Sequence, residues 1–391
     1  MSKKKQTLVD PAVLMDYLQA LDDPRIDRTK KHELIDILII AICAAICGAK
    51  TWIDIEDFGK SKQEWFSTFL NLKHGIPSHD TFRRLFMILN SDKFLEVFMD
   101  WVSALTQNTD LKQICIDGKT LRRSHERSKG FSPIHMVNAW STGASLSLGQ
   151  LKSEGKSNEI KTIPKLLDLL DIEGCLISTD AMGCQTEIAD KILSKKADYL
   201  FALKGNHSYL EDRVKEKFDS ISSRGPKPFL IEEYTDESTG HGRNEKRQYR
   251  VITAKKDKAL GINPLEKWPS LNSLIEVTSE RIMRSTGEVS EEVRYYISSS
   301  TQGAKDFSSS IRGHWEVENK LHWVLDVVFR EDDCRSRAGY SAENFSMLRQ
   351  FALNLIKLEP SKKAIRRKQN IAGWDETYLL EILIGQRNLD A

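Results

Sequence analysis

Two aspartates and a glutamate stand where a carboxylate is costly or conspicuous. Asp117 closes the run "QICID" and is followed by Gly118, Lys119 and Thr120. Asp180 closes "CLISTD" and is followed by Ala181, Met182 and Gly183. Both runs are apolar and β-prone, so each aspartate is predicted at the carboxyl end of a buried strand, where open α/β sheets build their sites. A charge inside a sheet is expensive, so a carboxylate there is expected at the sheet edge or in coordination. The small residues that follow let backbone or substrate come close. Taken singly, each aspartate is equally well placed to form a turn or cap a helix. Glu318 lies in "IRGHWEVENKLHWVLDVVFRED". Helical spacing puts Ile311, His314, Glu318, His322 and Leu325 on one face. A half-buried salt-bridge residue is one reading of Glu318. A metal site of His314, Glu318 and His322 is another, but three ligands on adjacent turns of one helix cannot converge on an ion without partners from elsewhere. Hard oxygen donors select Mg²⁺, with Mn²⁺ able to substitute. Two such ions about 4 Å apart clamp the attacking and leaving oxygens of a phosphoryl displacement. That chemistry needs carboxylates from separate elements meeting at one point.

The elements that would carry them change texture at Gln113. Before it, residues 10 to 106 read as helical. Val13, Leu14, Tyr17 and Leu18 repeat at helical spacing, the run 37–49 follows, and Gly48 is placed to end that helix. Ile55, Phe58, Trp65 and Phe69 mark another helix. "GIPSHDTFRRLFMIL" (75–89) offers an N-cap at Ser78 and an amphipathic helix carrying Arg83 and Arg84. This unit fits a helix-turn-helix and one more helix of a small bundle equally well. After Gln113, strands are predicted at 134–142 and 146–152 around Gly143, then a helix over 157–172 capped by Ser157. A strand ending at Asp180, a helix over 186–196 and a strand over 198–206 follow. The order β-β-β-α-β-α-β predicts a mixed sheet with helices on its faces. Residues 207–290 read as irregular, with a polar stretch at 236–248 and β-like segments at 249–253 and 274–278. A strand is predicted over 293–299, one or two helices over 304–328, and another over 341–357.

The chain has 391 residues, 40% of them hydrophobic and 29% charged, which excludes wholesale disorder. A net charge of +2 does not by itself announce a nucleic-acid binder. Basic residues cluster locally at Lys3–Lys5, at Lys119, Arg122, Arg123, Arg127 and Lys129, and at Lys362, Lys363, Arg366, Arg367 and Lys368. Each run alone is an ordinary solvated surface. The six cysteines form no CxxC pair, which excludes the usual zinc spacings and suits a reducing cytoplasm. The N-terminus lacks the apolar core of a secretion signal. The uncharged run 37–49 is too short to span a bilayer and is expected to be a core helix.

"CIDGKTLRRS" (115–124), "STDAMGCQ" (178–185), "DYLFALKGN" (198–206) and "HWEVENKLHWVLDVVFREDDC" (314–334) resemble the insertion-sequence DDE transposases of the H-repeat-associated group. "HELIDILIIAICAAICGAKTWIDIEDFG" (32–59) resembles the helical segment that precedes their catalytic domain. The resemblance covers nearly the whole chain. It implies an RNase-H-like core whose sheet is interrupted by a β-rich insertion. It also implies Mg²⁺-dependent cleavage at transposon ends and joining to target DNA, with Asp117, Asp180 and Glu318 as catalytic metal ligands. Many related transposases carry a Tyr-x-x-Arg-x-x-x-Glu signature with a later lysine; here Ile311, His314 and Leu325 occupy those places. Lys119, Arg122, Arg123, Lys204, His314, Lys320, His322, Arg83 and Arg84 are then the candidates for contacts to DNA.

The organisation expected on this reading is a helical, DNA-binding N-terminal domain (1–108), the first part of the catalytic core (109–206), the insertion (207–290) and the rest of the core (291–391). The partners implied are terminal inverted repeats and target DNA, held by a homodimer, with no membrane. The setting is the bacterial cytoplasm at the nucleoid. Two other readings keep the same fold: an inactive or domesticated DNA-binding descendant, and a nuclease that cuts without joining.

Overall fold

The computed structural model describes residues 12–107, 109–124, 133–155, 158–221, 229–240, 242–254, 260 and 268–384. The expected N-cap Ser157 and the basic residues Lys3–Lys5, Arg127 and Lys129 lie outside them. Contacts divide the chain into two units that do not follow chain order. One comprises 1–111, 118–156 and 318–391; the other comprises 112–117 and 157–317. The strand β1 (Gln113–Thr120) passes from one unit to the other between Asp117 and Gly118.

The first unit opens with helices α1 (Ala12–Gln19), α2 (Leu34–Ile46), α3 (Trp52–Ser61), α4 (Gln63–Phe66), α5 (His79–Ile88) and α6 (Ser91–Thr106). Every residue of α2 from Asp36 to Ile46 is buried, so the uncharged run is a core helix as expected. Gly48, at φ +91, ends it. Its amide and that of Ala49 return to the carbonyls of Ala45 and Ala44, a left-handed C-terminal turn that glycine adopts at no steric cost. Thr51 caps α3 through a capping box with Asp54. Ser78 precedes α5 as expected, but its hydroxyl meets the Thr81 hydroxyl at 3.2 Å and caps no backbone amide.

The antiparallel hairpin β2 (His135–Ser141) and β3 (Leu146–Ser153) belongs to this unit. So, later in the chain, do α11 (Ser341–Leu358), α12 (Ile365–Trp374) and α13 (Glu376–Ile384). Helix α11 packs against α2, α5 and α6. Trp52 lies between Phe86 and Phe345, with centroids at 5.0 and 4.4 Å. Phe351 touches the rings of Phe94, Phe98 and Trp101. Each such aromatic pair contributes about 0.5–1.5 kcal/mol beyond area burial, so the C-terminal helix is built into the N-terminal bundle. Polar side chains fix its register against the hairpin. Asn354 donates to the Ser147 carbonyl and accepts from the Ser147 amide, and Gln350 joins Ser147, Asn138 and Gln150.

The second unit holds α7 (Glu159–Leu169), β4 (Leu176–Thr179), α8 (Thr186–Ser194), β5 (Asp198–Leu203) and α9 (Ser208–Ile221). The strands β6 (Phe229–Gly240), β7 (Arg243–Ala254), β8 (Ser273–Met283) and β9 (Val289–Ser298) follow, then α10 (Ala304–His314). Strand order is β3-β2-β1-β4-β5-β9-β8-β7-β6. β1, β4 and β5 run parallel, and β5 through β9 to β6 alternate in direction. This is the mixed sheet expected of an RNase-H-like core, extended by a long antiparallel meander. Tyr249, Val251, Ile275, Val277 and Tyr296 of the meander pack with Leu200 of β5 and with Phe307 and Ile311 of α10.

The described residues of the region read as irregular, 207–290, include a helix and three long strands, and the β-like segments expected at 249–253 and 274–278 lie within β7 and β8. Residues 236–240 and 243–248 of the polar stretch are the outer parts of β6 and β7. Glu237 pairs with Lys246 across the strands, and Glu245 takes Arg247, Arg243 and Arg281. Charged cross-strand pairs replace apolar residues on a largely exposed ribbon, so the period-2 signal is absent from hydropathy. Of the one or two helices expected over 304–328, α10 ends at His314 and the chain goes on mainly π-helical at Glu318–His322 and Val324–Val328.

Candidate active site

Asp117 and Asp180 share one end of the parallel pair β1–β4. The ladder matches Gln113 with Leu176 and ends at Ile116 opposite Thr179, and the next residue on each strand is an aspartate. Neighbouring strands lie about 4.8 Å apart, so the backbones of the two aspartates stand next to each other where the pairing stops. Asp117 is not the last residue of its strand, because β1 runs on to Thr120. It stands where pairing with β4 stops. Asp180 is exposed and begins a short 3₁₀ turn. Its Oδ1 accepts from the amides of Met182 and Gly183 at 3.0 and 3.3 Å, which fixes the carboxylate's direction. Gly183 is obligatory there, since a Cβ would sit 2.6 Å from Thr179. Lys204 follows the last residue of β5 and is exposed, so it stands at the same end of the three parallel strands.

His314 belongs to the second unit's framework. Its Nδ1 lies 3.0 Å from the Ser178 hydroxyl, which also accepts from Gln113 at 2.8 Å. Gln113 donates as well to the carbonyl of Ser310, and the Cys115 thiol to that of Gly313. The end of α10 is thus held on the strands that carry both aspartates. Ser178 and Gln113 were not singled out from sequence; their polar side chains inside two apolar strands are the signal that marks them.

In the first unit, Glu318 is exposed and opens the π-helical segment. His322 is buried, and its Nδ1–H donates to Glu318 Oε2 at 3.3 Å. That bond, reinforced by the charges of Lys119 and Arg122, holds the Glu318 carboxyl below its usual range. The helix face drawn through Ile311, His314, Glu318, His322 and Leu325 is not one α-helical face. Ile311 joins the sheet core, His314 binds Ser178, and the backbone widens to i→i+5 bonding from Glu318 onward. Such π segments occur disproportionately at functional sites.

Lys119 is placed otherwise than expected. Its side chain is 6% exposed, and its ammonium bridges Glu331 and Asp326, the latter at 2.7 Å. A lysine buried between two carboxylates does not present itself to a DNA backbone. Burial by itself would push the Glu331 carboxyl up; the charges of Lys119 and Arg349 and a hydrogen bond from Ser346 outweigh this and leave it lowered. Asp326, less completely paired, is raised by burial. His322 is equally internal. In the C-terminal basic run, Lys368 is buried and donates to the carbonyls of Ile356 and Glu359, while Lys362, Lys363, Arg366 and Arg367 are exposed. Arg122 and Arg123 are exposed and pair with Asp332 and Asp333. Lys320 is exposed, as are Arg83 and Arg84, which both reach Asp80. Asp326 and Glu331 were not singled out from sequence; a lone aspartate inside the apolar stretch "WVLDVVF" and the acid-rich "FREDD" after it are the traces they leave.

The comparisons with known proteins fit this framework. The family described as "Transposase DDE domain" matches residues 108–355, and "DDE_Tnp_1-associated" matches 15–102. The chain belongs to the DDE transposase family. The "H repeat-associated putative transposase YhhI" of Escherichia coli (strain K12) is 41% identical over 375 residues, covering 95% of this chain and 98% of the relative. "Putative transposase YncI" of Escherichia coli O157:H7 is 39% identical over 374 residues, covering 95% and 94%. A short relative of the K12 strain, "Inactive transposase YbfQ", is 40% identical over 72 residues, covering 18% of this chain and 86% of the relative. No helix among the described residues is long and apolar enough to cross a membrane.

Proposed function

We propose that this DDE transposase cuts DNA at the ends of its own element and joins the freed 3′ ends to target DNA. Asp117, Asp180 and Glu318 are the metal-holding carboxylates. The observation that carries this is the pair of aspartates at the end of the β1–β4 ladder in a chain whose family is defined by such carboxylates. The donor set suits Mg²⁺, or Mn²⁺ in its place, because carboxylate oxygens are hard ligands and Asp180 is already oriented by two amides. Bound there, the ions would activate the attacking oxygen and neutralise charge on the leaving one.

The chain's own residues then have separate tasks. Asp117 and Asp180 come from rigid strand ends, which favours a fixed coordination geometry. Glu318, whose carboxyl the bond from His322 holds below its usual range, is the ligand supplied by a helix. Lys204, Lys320, Arg122 and Arg123 are the exposed cations suited to phosphate oxygens. His314 is a positioning residue, through Ser178, for the strand that ends in Asp180. The partners are the terminal inverted repeats and target DNA, and pairing two ends calls for a homodimer.

The test is Mg²⁺- or Mn²⁺-dependent cleavage of a duplex carrying the element's terminal repeat, comparing the native chain with Glu318→Ala. Cleavage is expected in the first and lost in the second. Equal cleavage by both would remove Glu318 from the site. Tight end binding without cleavage by the native chain would make this copy an inactive DNA-binding descendant.

A further inference from the structure

A broad groove of about 1420 Å³ lies within the first unit, outside the residues assigned above to metal binding. Its walls come from three places. Lys50 and Arg83 belong to the N-terminal helices and their connections, Arg123 and Lys152 flank the β2–β3 hairpin, and Arg335 and Arg337 sit on the loop before α11. All six are exposed. The acids that line the groove are Glu154 and Asp333, and Asp333 is already shared between Arg123 and Arg330. Arg83 and Lys152 are offset by Asp80 and Glu343 beside the groove, and the remaining cations leave it a positive excess in a chain whose net charge is only +2.

The groove is built rather than incidental. Tyr340 donates its amide to the Met87 carbonyl at 3.0 Å, which ties the arginine loop to α5, the helix that carries Arg83. Gly339 makes the approach possible: its φ is +56, and a Cβ there would lie 2.2 Å from that same carbonyl. Arg337 donates to the carbonyl of Arg123 at 3.2 Å, joining loop to hairpin. The stacked rings of Trp52 and Phe345 also line it. Three of the six cations, Lys50, Arg335 and Arg337, make no ion pair among the described residues, and of these Arg337 is already engaged with the Arg123 carbonyl. A broad groove lined by several guanidinium and ammonium groups matches a run of phosphodiester oxygens, and such contacts read no base sequence.

We infer that this groove is a sequence-independent grip on the phosphate backbone of duplex DNA, separate in task from the carboxylates. The inference rests on the reading that the chain acts on DNA. It is tested by fluorescence anisotropy of a random-sequence duplex across a salt series, in EDTA and in a Glu318→Ala background, so that no cleavage intervenes. The double variant Lys50→Gln/Arg335→Gln is expected to lower the slope of log affinity against log salt by about 1.8, from two phosphate contacts at about 0.9 each. The charge-keeping variant Lys50→Arg/Arg335→Lys should keep the native slope. Neither pair of changes should move the urea midpoint, since no internal ion pair is lost. A native slope in the Gln variant overturns the inference alone. No duplex binding by the native chain overturns it together with the DNA reading.

Discussion

The ammonium of Lys119 and the carboxylate of Glu331 form an ion pair inside the first unit, with side chains only 6% and 1% exposed. Lys119 stands two residues after Asp117 on β1, and Glu331 stands at the end of the segment that begins with Glu318. Ser346 of α11 and Arg349 also reach Glu331, so the pair is the centre of a buried polar cluster. A sequence motif that looks like a DNA contact is thus part of the internal framework.

Removing one partner should be costly. Lys119→Ala leaves Asp326 without its cation and Glu331 with only the more distant Arg349, and loss of one member of a buried pair costs about 3–5 kcal/mol. Urea unfolding should show that loss in the variant. A change below about 1 kcal/mol, the range of exposed pairs, would mean that the pair is solvated in solution.

Asp180→Asn separates charge from geometry. The amide oxygen of asparagine can still accept from Met182 and Gly183, so the 3₁₀ turn should persist and stability should change little. Metal-dependent cleavage should fall by more than the roughly 10–100-fold seen when an outer partner of a metal ligand is lost. Calorimetric titration with Mn²⁺ gives a second readout, and unchanged Mn²⁺ affinity would remove Asp180 from the ligand set.

Gly183→Ala should disturb the same turn by a steric route. The new methyl meets Thr179 at 2.6 Å, on the last residue of β4, and something must shift. Overpacking of this kind costs about 1–3 kcal/mol. Cleavage should drop together with thermal stability, whereas an unaffected Tm would show that the turn relaxes freely.

Acid stability has a specific source in the N-terminal helices. Glu56 accepts from Lys60 and from both the amide and the ring of His79, which lowers its carboxyl to about 2. A depressed carboxyl contributes stability that is fully present above its ordinary value of 4.5 and lost as the pH falls toward about 2. Glu56→Gln should therefore flatten the unfolding free energy between those two pH values and leave its shape near neutrality unchanged. A variant with the native acid limb would show that Glu56 titrates normally.

Much was legible before any fold was known. The uncharged run 37–49 is too short for a bilayer and better suited to a core helix, and its residues 37–46 are buried in α2. Asp117 and Asp180 stood out because a carboxylate closing an apolar strand is costly unless the strand ends or pairs there. Ordered motifs over most of the chain carried the family. These are local or chemical signals, and sequence records them directly.

Tertiary structure decided the rest, because it depends on partners far apart in the chain. Hydropathy could not show β6 and β7 as long strands, since their charged residues satisfy one another across the ribbon. Helical spacing could not show that the Glu318 helix widens after His314. Nor could a lysine beside Asp117 reveal whether it faces solvent or the carboxylates of Asp326 and Glu331, more than two hundred residues away. The residue types state what chemistry is available. Only the packing decides which charges are turned toward a ligand and which are spent holding the framework together.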